Sequence, residues 1–261
     1  MKLTQGQFGW VDLSTTDVSA AKAFYTGLFG WEHEDVPTPM GPHYTMCRID
    51  GQMVAGLGPM PPGMSAAGAP STWNSYVMVE DVDAVAAAAV AAGGSVVMPA
   101  MDIMTSGRMA MIAGPDGAAL GIWQPIEHQG AEVFDVPGAL TWNELQSRAL
   151  EPAMAFYTQL FGWRWERGAS AMPYHVCHVD NRSDRTANGG AMHMPDGVPP
   201  EAPSMWTVYF AVADCDASAD RVTHLGGELF LPTMEMEGNR FAGATDPTGA
   251  MFFFGEFVRP A

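Results

Sequence analysis

The sequence predicts an α+β fold made of two tandem copies of one domain, each copy a strand–helix–strands unit (βαβββ) used twice. Three observations carry this. Residues 10–31 return at 142–163: Trp10, Asp12, Leu13, Ala23-Phe24-Tyr25-Thr26 and Leu28-Phe29-Gly30-Trp31 reappear 132 positions later as Trp142, Glu144, Leu145, Ala155-Phe156-Tyr157-Thr158 and Leu160-Phe161-Gly162-Trp163. The match then continues with small drift: Tyr44 and Cys47 answer to Tyr174 and Cys177, and Trp73, Tyr76, Val79, Asp81 and Asp83 to Trp206, Tyr209, Val212, Asp214 and Asp216. Within each copy the strand–helix–strands pattern restarts, so four modules begin near 8, 72, 140 and 204. A period of this length fits tandem domains rather than a solenoid.

The elements of the first copy follow in order. Phe8 to Ser14 alternates as a strand. Thr16-Asp17 offers an N-cap, Val18 to Phe29 is helical with Phe24, Leu28 and Phe29 on one face, and Gly30 supplies the left-handed stop. Short strands broken by Pro37, Pro39, Gly41 and Gly51 fill 31–60, and the Pro-, Gly- and Met-rich segment 59–70 is a loop. Trp73 to Val79 is a strand. Asp81 caps a helix from Val82 to about Ala92, stopped by Gly93-Gly94. Strands follow at 95–98, 108–113 and 118–124, with Pro115-Asp116-Gly117 as the turn between the last two. The expected domains are 1–128 and 139–261, with 129–138 as linker, and each copy is long enough to bury a core of its own.

At 48% hydrophobic and 16% charged residues the chain is globular, not disordered. The net charge of −17 is shared by both halves, with 4 basic and 12 acidic residues in 1–130 and 8 and 17 in 131–261. Both halves would repel phosphate backbones and anionic lipid, which argues against nucleic acid or a membrane as partner. No run of 18 apolar residues spans a bilayer, and the first residues lack a signal-peptide core. The three cysteines, Cys47, Cys177 and Cys215, form no disulfide framework and suit a reducing cytoplasm.

Four βαβββ modules, a first helix ending Phe-Tyr-x-x-Leu-Phe-Gly-Trp, a second helix ending Gly-Gly and a late Pro-x-Gly turn resemble the vicinal oxygen chelate superfamily. This is the group of glyoxalase I, bleomycin-resistance proteins and extradiol dioxygenases. The resemblance covers essentially the whole chain. Its Trp-Val-Asp-Leu, Trp-Asn-x-Tyr, Trp-Asn-Glu-Leu and Trp-x-Val-Tyr-Phe-Ala-Val segments are most similar to two-domain actinobacterial proteins called hydroxylase-like or antigen-like. It implies two tandem glyoxalase/bleomycin-resistance-like domains, each with a cupped sheet and helices outside. Catalytic members of the family hold a divalent metal in the cup with His, Glu or Gln. The positions that answer to those ligands here are Trp10, Asn74, Gly121 and the neighbourhood of Gly56 in the first copy. In the second they are Trp142, Thr207, Phe253 and the neighbourhood of Ala191 and Met192. Trp, Gly and Phe side chains do not coordinate metals, and Asn and Thr are weak neutral donors. The expectation is therefore no metal and no cofactor.

Asp12 and Glu144 lie two residues beyond Trp10 and Trp142, on the same strand face. They are the candidate catalytic acids or bases, with Arg108 and Arg240 as their expected partners. Trp10, Asn74, Tyr76, Arg108, Trp142, Thr207, Tyr209 and Arg240 are the candidate ligand-binding residues, giving aromatic walls with a few polar tips. Methionines including Met60, Met64, Met98, Met101, Met109 and Met111, and in the second copy Met192, Met234 and Met251, are expected at the cup rims. His193 with Glu144 would make at most a partial metal site.

The reading this favours is metal-independent binding of a small hydrophobic or aromatic metabolite, in a setting of resistance or secondary metabolism. One alternative is a tailoring enzyme (isomerase, lyase or hydroxylase-like) using Asp12 or Glu144. Others are a glyoxalase- or dioxygenase-type metalloenzyme with atypical ligands, and an interaction protein whose cups are filled by their own side chains. The expected partner is a small molecule only, with the chain a monomer carrying an internal pseudo-dimer or a loose homodimer.

Overall fold

The structure, a computed structural model, describes residues 3–39, 41–61, 63, 68–168, 173–179 and 187–257. In the first repeat the elements are β1 (Phe8–Thr15), α1 (Val18–Phe29), β2 (Glu32–Thr38), β3 (Gly41–Ile49), β4 (Gln52–Pro59), β5 (Thr72–Met78), α2 (Val82–Ala91), β6 (Ser95–Ile103), β7 (Gly107–Ala113) and β8 (Ala119–Pro125). The second runs β9 (Leu140–Ser147), α3 (Leu150–Phe161), β10 (Arg164–Arg167), β11 (Tyr174–His178), β12 (Ala187–His193), β13 (Met205–Ala211), α4 (Cys215–His224), β14 (Glu228–Met236), β15 (Asn239–Thr245) and β16 (Met251–Glu256). The sheet orders are β2-β3-β4-β1-β5-β8-β7-β6 and β10-β11-β12-β9-β13-β16-β15-β14, one per repeat. Within a module the first and last strands pair parallel and the others antiparallel, as β1 with β4 and β5 with β8 show.

The helix ends follow their capping residues. The Asp17 carboxylate accepts the Ala20 N–H at 3.0 Å, and Gly30 closes α1 at φ 74° with its N–H on the Thr26 carbonyl. Asp81 and Asp214 cap α2 and α4 in the same way, each accepting at 2.9 Å. The third helix begins at Ala149 without a side-chain cap of its own; the Ser147 hydroxyl accepts the Ala149 N–H instead and donates to Asp116. Strand β6 is longer than expected and runs on through Pro99 to Ile103.

Packing does not divide the chain into its sequence halves. One compact unit joins residues 1–10, 75–130 and 142–207, and the other joins 11–74, 131–141 and 208–261. In the first unit α2 supplies Val82, Ala86 and Ala89 and α3 supplies Phe156 and Tyr157 to a core shared with Ile112 and Leu120. In the second, Tyr25 of α1 stacks on Trp31 with ring centres 5.2 Å apart, accepts a hydrogen bond from the Trp73 indole at 2.9 Å and donates to Asp246. Trp206 donates to Tyr157 Oη at 2.9 Å in the first unit, the repeat of that contact. The expectation of one core per sequence copy is thus corrected. Each core draws on one module from either repeat, because the apolar stripe of each helix faces a helix of the other copy.

With Trp73 and Val77 committed to the helix-covered side, Asn74 and Tyr76 take the opposite face of β5; Trp206 and Val208 place Thr207 and Tyr209 likewise on β13. All three cysteines are buried and free. Among the described residues no helix is long and apolar enough to cross a membrane.

Candidate functional site

In the second unit Leu13 is fully buried, so Asp12 and Ser14 point to the other side of β1. There the Asn74 amide donates to Asp12 Oδ1 at 2.9 Å and to Ser14 Oγ at 3.2 Å. Tyr44 Oη donates to Asp12 Oδ2 at 3.3 Å. Strand β4 lies beside β1 in a register that sets Gly56 against Asp12 and Gly58 against Ser14. Tyr44 leans across these glycines, and a Cβ built on Gly56 would fall 1.8 Å from its hydroxyl oxygen. An open cleft of about 340 Å³ is lined by Asp12, Ser14, Thr38 and Tyr44 together with apolar residues that include Pro42, Pro59 and Pro61.

The first unit carries the second repeat's version. Register sets Gly190 against Glu144 and Met192 against Gln146. Tyr174 reaches over Gly190, where a Cβ would again stand 1.8 Å from its hydroxyl. The Trp142 indole donates to Tyr174 Oη at 2.7 Å, and Tyr174 is hydrogen-bonded to the Glu144 carboxylate. Gln146 Nε2 donates to Glu144 Oε1 at 3.0 Å, and the Thr207 hydroxyl donates to the Glu144 backbone carbonyl at 3.2 Å. Glu144 is 6% exposed and Gln146 9%. Burial pushes the Tyr174 hydroxyl well above the ordinary phenol range, and the adjacent Glu144 carboxylate pushes it further the same way.

The structure thus brings Asp12 to Asn74, and Glu144 to Trp142 and Thr207, as the shared strand faces imply. The remaining candidates stand elsewhere. Trp10 is buried edge-on to His128 with ring centres 4.3 Å apart. Tyr76 lies flat over Gly121, its ring 2.2 Å from where a Cβ would be, and Tyr209 stacks on Phe253 at 4.5 Å. The expected roles of Arg108 and Arg240 are corrected: Arg108 pairs with Asp83 and Asp102, and Arg240 with Asp216. Each arginine shares strand parity with buried alanines, Ala110 and Ala242, so it emerges on the helix side, beside the first turn of α2 or α4. The guanidinium groups hold Asp83 and Asp216 below the usual carboxylate range. His193 is also removed from Glu144, since it pairs with Ser147 in the ladder and approaches Glu151 at 3.3 Å. Among the described residues no methionine lines the cleft; Met101, Met234 and Met251 are exposed on strands, while Met60 and Met111 are buried. Met64 lies outside the described residues.

Tyr44, Tyr174, Ser14 and Gln146 were missed as site residues. The recurrence of the tyrosine in both copies was the available signal. Its meaning depends on the β3–β4 and β11–β12 registers, which set it diagonally across from a glycine.

The resemblance places a metal ligand near Gly56 and its repeat equivalent, which the ladder identifies as Gly190. Neither has a side chain, and the space into which one would project holds a tyrosine hydroxyl. Among the described residues no three His, Cys, Asp or Glu side chains converge, whereas even an open catalytic site uses three protein ligands. The described residues at these positions do not fit the family's metal.

Comparison with known proteins agrees with the fold. A family model described as the Glyoxalase/Bleomycin resistance protein/Dioxygenase superfamily matches residues 7–122 and again 139–254. The chain is 43% identical over 252 residues to "Putative glyoxylase CFP32" of Mycobacterium tuberculosis, covering 95% of this chain and 94% of that protein. It is 35% identical over 262 residues to "Anthracycline biosynthesis protein DnrV" of Streptomyces peucetius, covering 96% and 93%. Among solved structures, the Mn(II)-bound glyoxalase from Novosphingobium aromaticivorans superposes with TM-score 0.66 at 16% identity, covering 98% of this chain and 84% of that one. The 2,3-dioxygenase LapB from Pseudomonas sp. KL28 does so with TM-score 0.67 at 12% identity, covering 99% and 96%. Two matches to the family model in tandem, over a chain folded as four βαβββ modules, establish that this protein belongs to the Glyoxalase/Bleomycin resistance protein/Dioxygenase superfamily.

Proposed function

We propose that the chain binds a small aromatic metabolite bearing hydrogen-bond donors, in the Asp12 cleft and without a metal. One observation carries this reading. A carboxylate, Asp12, is braced by Asn74 and Tyr44 in the wall of an open cleft whose lining includes three prolines. A few fixed polar groups set among apolar walls is how small-molecule sites are built, and 340 Å³ is within the size range of such sites. A hydroxyl or amine on the ligand would donate to the carboxylate, and the prolines would cover a flat ring. The chain's charge of −17 disfavours anions, so the ligand is neutral or cationic. A relative at 35% identity is called an anthracycline biosynthesis protein, which makes hydroxylated polycyclic quinones the first class to test.

The test is thermal shift of chelator-treated protein with 1,4-dihydroxyanthraquinone and graded analogues. A rise in melting temperature that Asp12→Ala abolishes supports the reading; no rise with any member of the series ends it. A second reading has its own observation: a phenol and a carboxylate 3.3 Å apart beside a cleft are placed to exchange a proton with a bound ligand. For that, Asp12→Asn and Tyr44→Phe would keep binding and lose turnover.

A further inference from the structure

Resting on that reading, we infer that the two repeats have parted roles: the first repeat binds the ligand, and the second fills the same place with its own side chains, so one chain takes one ligand. The ladders make the comparison residue by residue. In the first repeat the row that floors the cleft is Ser14 beside Gly58, with Asp12 beside Gly56 in the next row. In the second the same rows read Gln146 beside Met192 and Glu144 beside Gly190. Residues paired across neighbouring strands project to the same face. Every change between the repeats in these rows therefore adds atoms on the cleft side: Asp to Glu, Ser to Gln, Gly to Met. Only the glycine under the tyrosine is kept, because a Cβ there would strike the hydroxyl at 1.8 Å in both copies.

Hydrogen bonding changes in step with bulk. Asp12 accepts hydrogen bonds from Asn74 and Tyr44, is half-buried and lines the cleft. Glu144 is buried, and Gln146, one of the added side chains, spends its amide on the carboxylate that a ligand would otherwise meet. Tyr174 is likewise tied to both Trp142 and Glu144. A ligand entering there would have to displace Gln146 and Met192 and break a buried network, a cost that the cleft floored by Ser14 and Gly58 does not impose.

The experiment is isothermal titration of three proteins with 1,4-dihydroxyanthraquinone. The wild type is expected to bind one equivalent. Ser14→Gln with Gly58→Met, which writes the second repeat's floor into the first, is expected to bind at least 20-fold more weakly. Gln146→Ser with Met192→Gly is expected to keep the original equivalent and gain a second. Far-UV circular dichroism checks each fold, and Ser14→Gln alone replaces the double variant if that one unfolds. Two equivalents in the wild type would overturn this inference while leaving the proposed function standing. So would one equivalent that survives the first variant and is lost in the second. No binding to the wild type would remove the proposed function, and this inference with it.

Discussion

Tyr44 Oη stands 3.3 Å from Asp12 Oδ2 because Gly56, the residue facing Asp12 across the parallel pair of β1 and β4, has no side chain to hold it off. The same relation ties Tyr174 to Glu144 over Gly190. A position that the family can use for a metal ligand is here given to a phenol.

Gly190→Ala should therefore destabilise the protein by about 1–3 kcal/mol, the usual cost of overpacking, because its methyl group must expel the Tyr174 hydroxyl from a buried network. Urea denaturation measures it. The double variant Gly190→Ala with Tyr174→Ala should show a clearly non-additive loss; simple additivity would mean that the clash is relieved some other way.

Tyr174→Phe should cost about 1–3 kcal/mol, since it leaves the Trp142 indole N–H without its acceptor and removes a hydrogen bond from buried Glu144. Tyr44→Phe should cost about 1 kcal/mol or less, because Asp12 is half-buried and keeps Asn74. Chemical denaturation of the two variants side by side checks the order.

Stability should fall at alkaline pH. Burial raises the hydroxyls of Tyr25, Tyr157 and Tyr174 above the ordinary phenol value. Below about pH 10 both folded and unfolded chains hold these protons; above it the unfolded chain releases them and the folded chain does not. The contribution is thus complete below the unfolded value and is lost as pH rises toward the folded ones. Absorbance at 295 nm should show these three of the six tyrosines ionising only with unfolding. Their titration in the folded protein near pH 10 would contradict this.

Arg108→Met and Arg240→Met should leave ligand binding unchanged, because both arginines face acids beside helices rather than the cleft. Carbon-13 NMR should show Asp83 and Asp216 returning upward to the usual carboxylate range in the respective variants. A loss of binding in either would restore these residues to the site.

What could be read in advance was local. Asp17 and Gly30 bound α1, and Asp81 starts α2, because caps and left-handed stops are short-range devices. Asp12 with Asn74, and Glu144 with Thr207, follow from strand parity once Trp73 and Trp206 are taken as core. The parity of Arg108 with Ala110 and Ile112 is equally present in the sequence, and it turns the guanidinium away from Asp12 and toward Asp83 and Asp102. Tyr44 and Gly56 are different, since their meeting depends on the antiparallel register of β3 and β4, which no single strand encodes. Nor could two copies with the same helix pattern reveal which module packs on which. Phe24 and Phe156 advertise the same apolar face, and only tertiary pairing chooses its partner.

On the proposed reading Asp12 receives an aromatic ligand in a cleft that uses no metal. A crystal structure of chelator-treated protein with 1,4-dihydroxyanthraquinone tests it most directly. The expected result is a ring against Pro42 and Pro59 with a hydroxyl within hydrogen-bond distance of Asp12 Oδ1 or Oδ2, Tyr44 still over Gly56, and Gln146 still on Glu144. A ligand seated elsewhere, or one bound only when a divalent cation is restored beside Asp12, would contradict it.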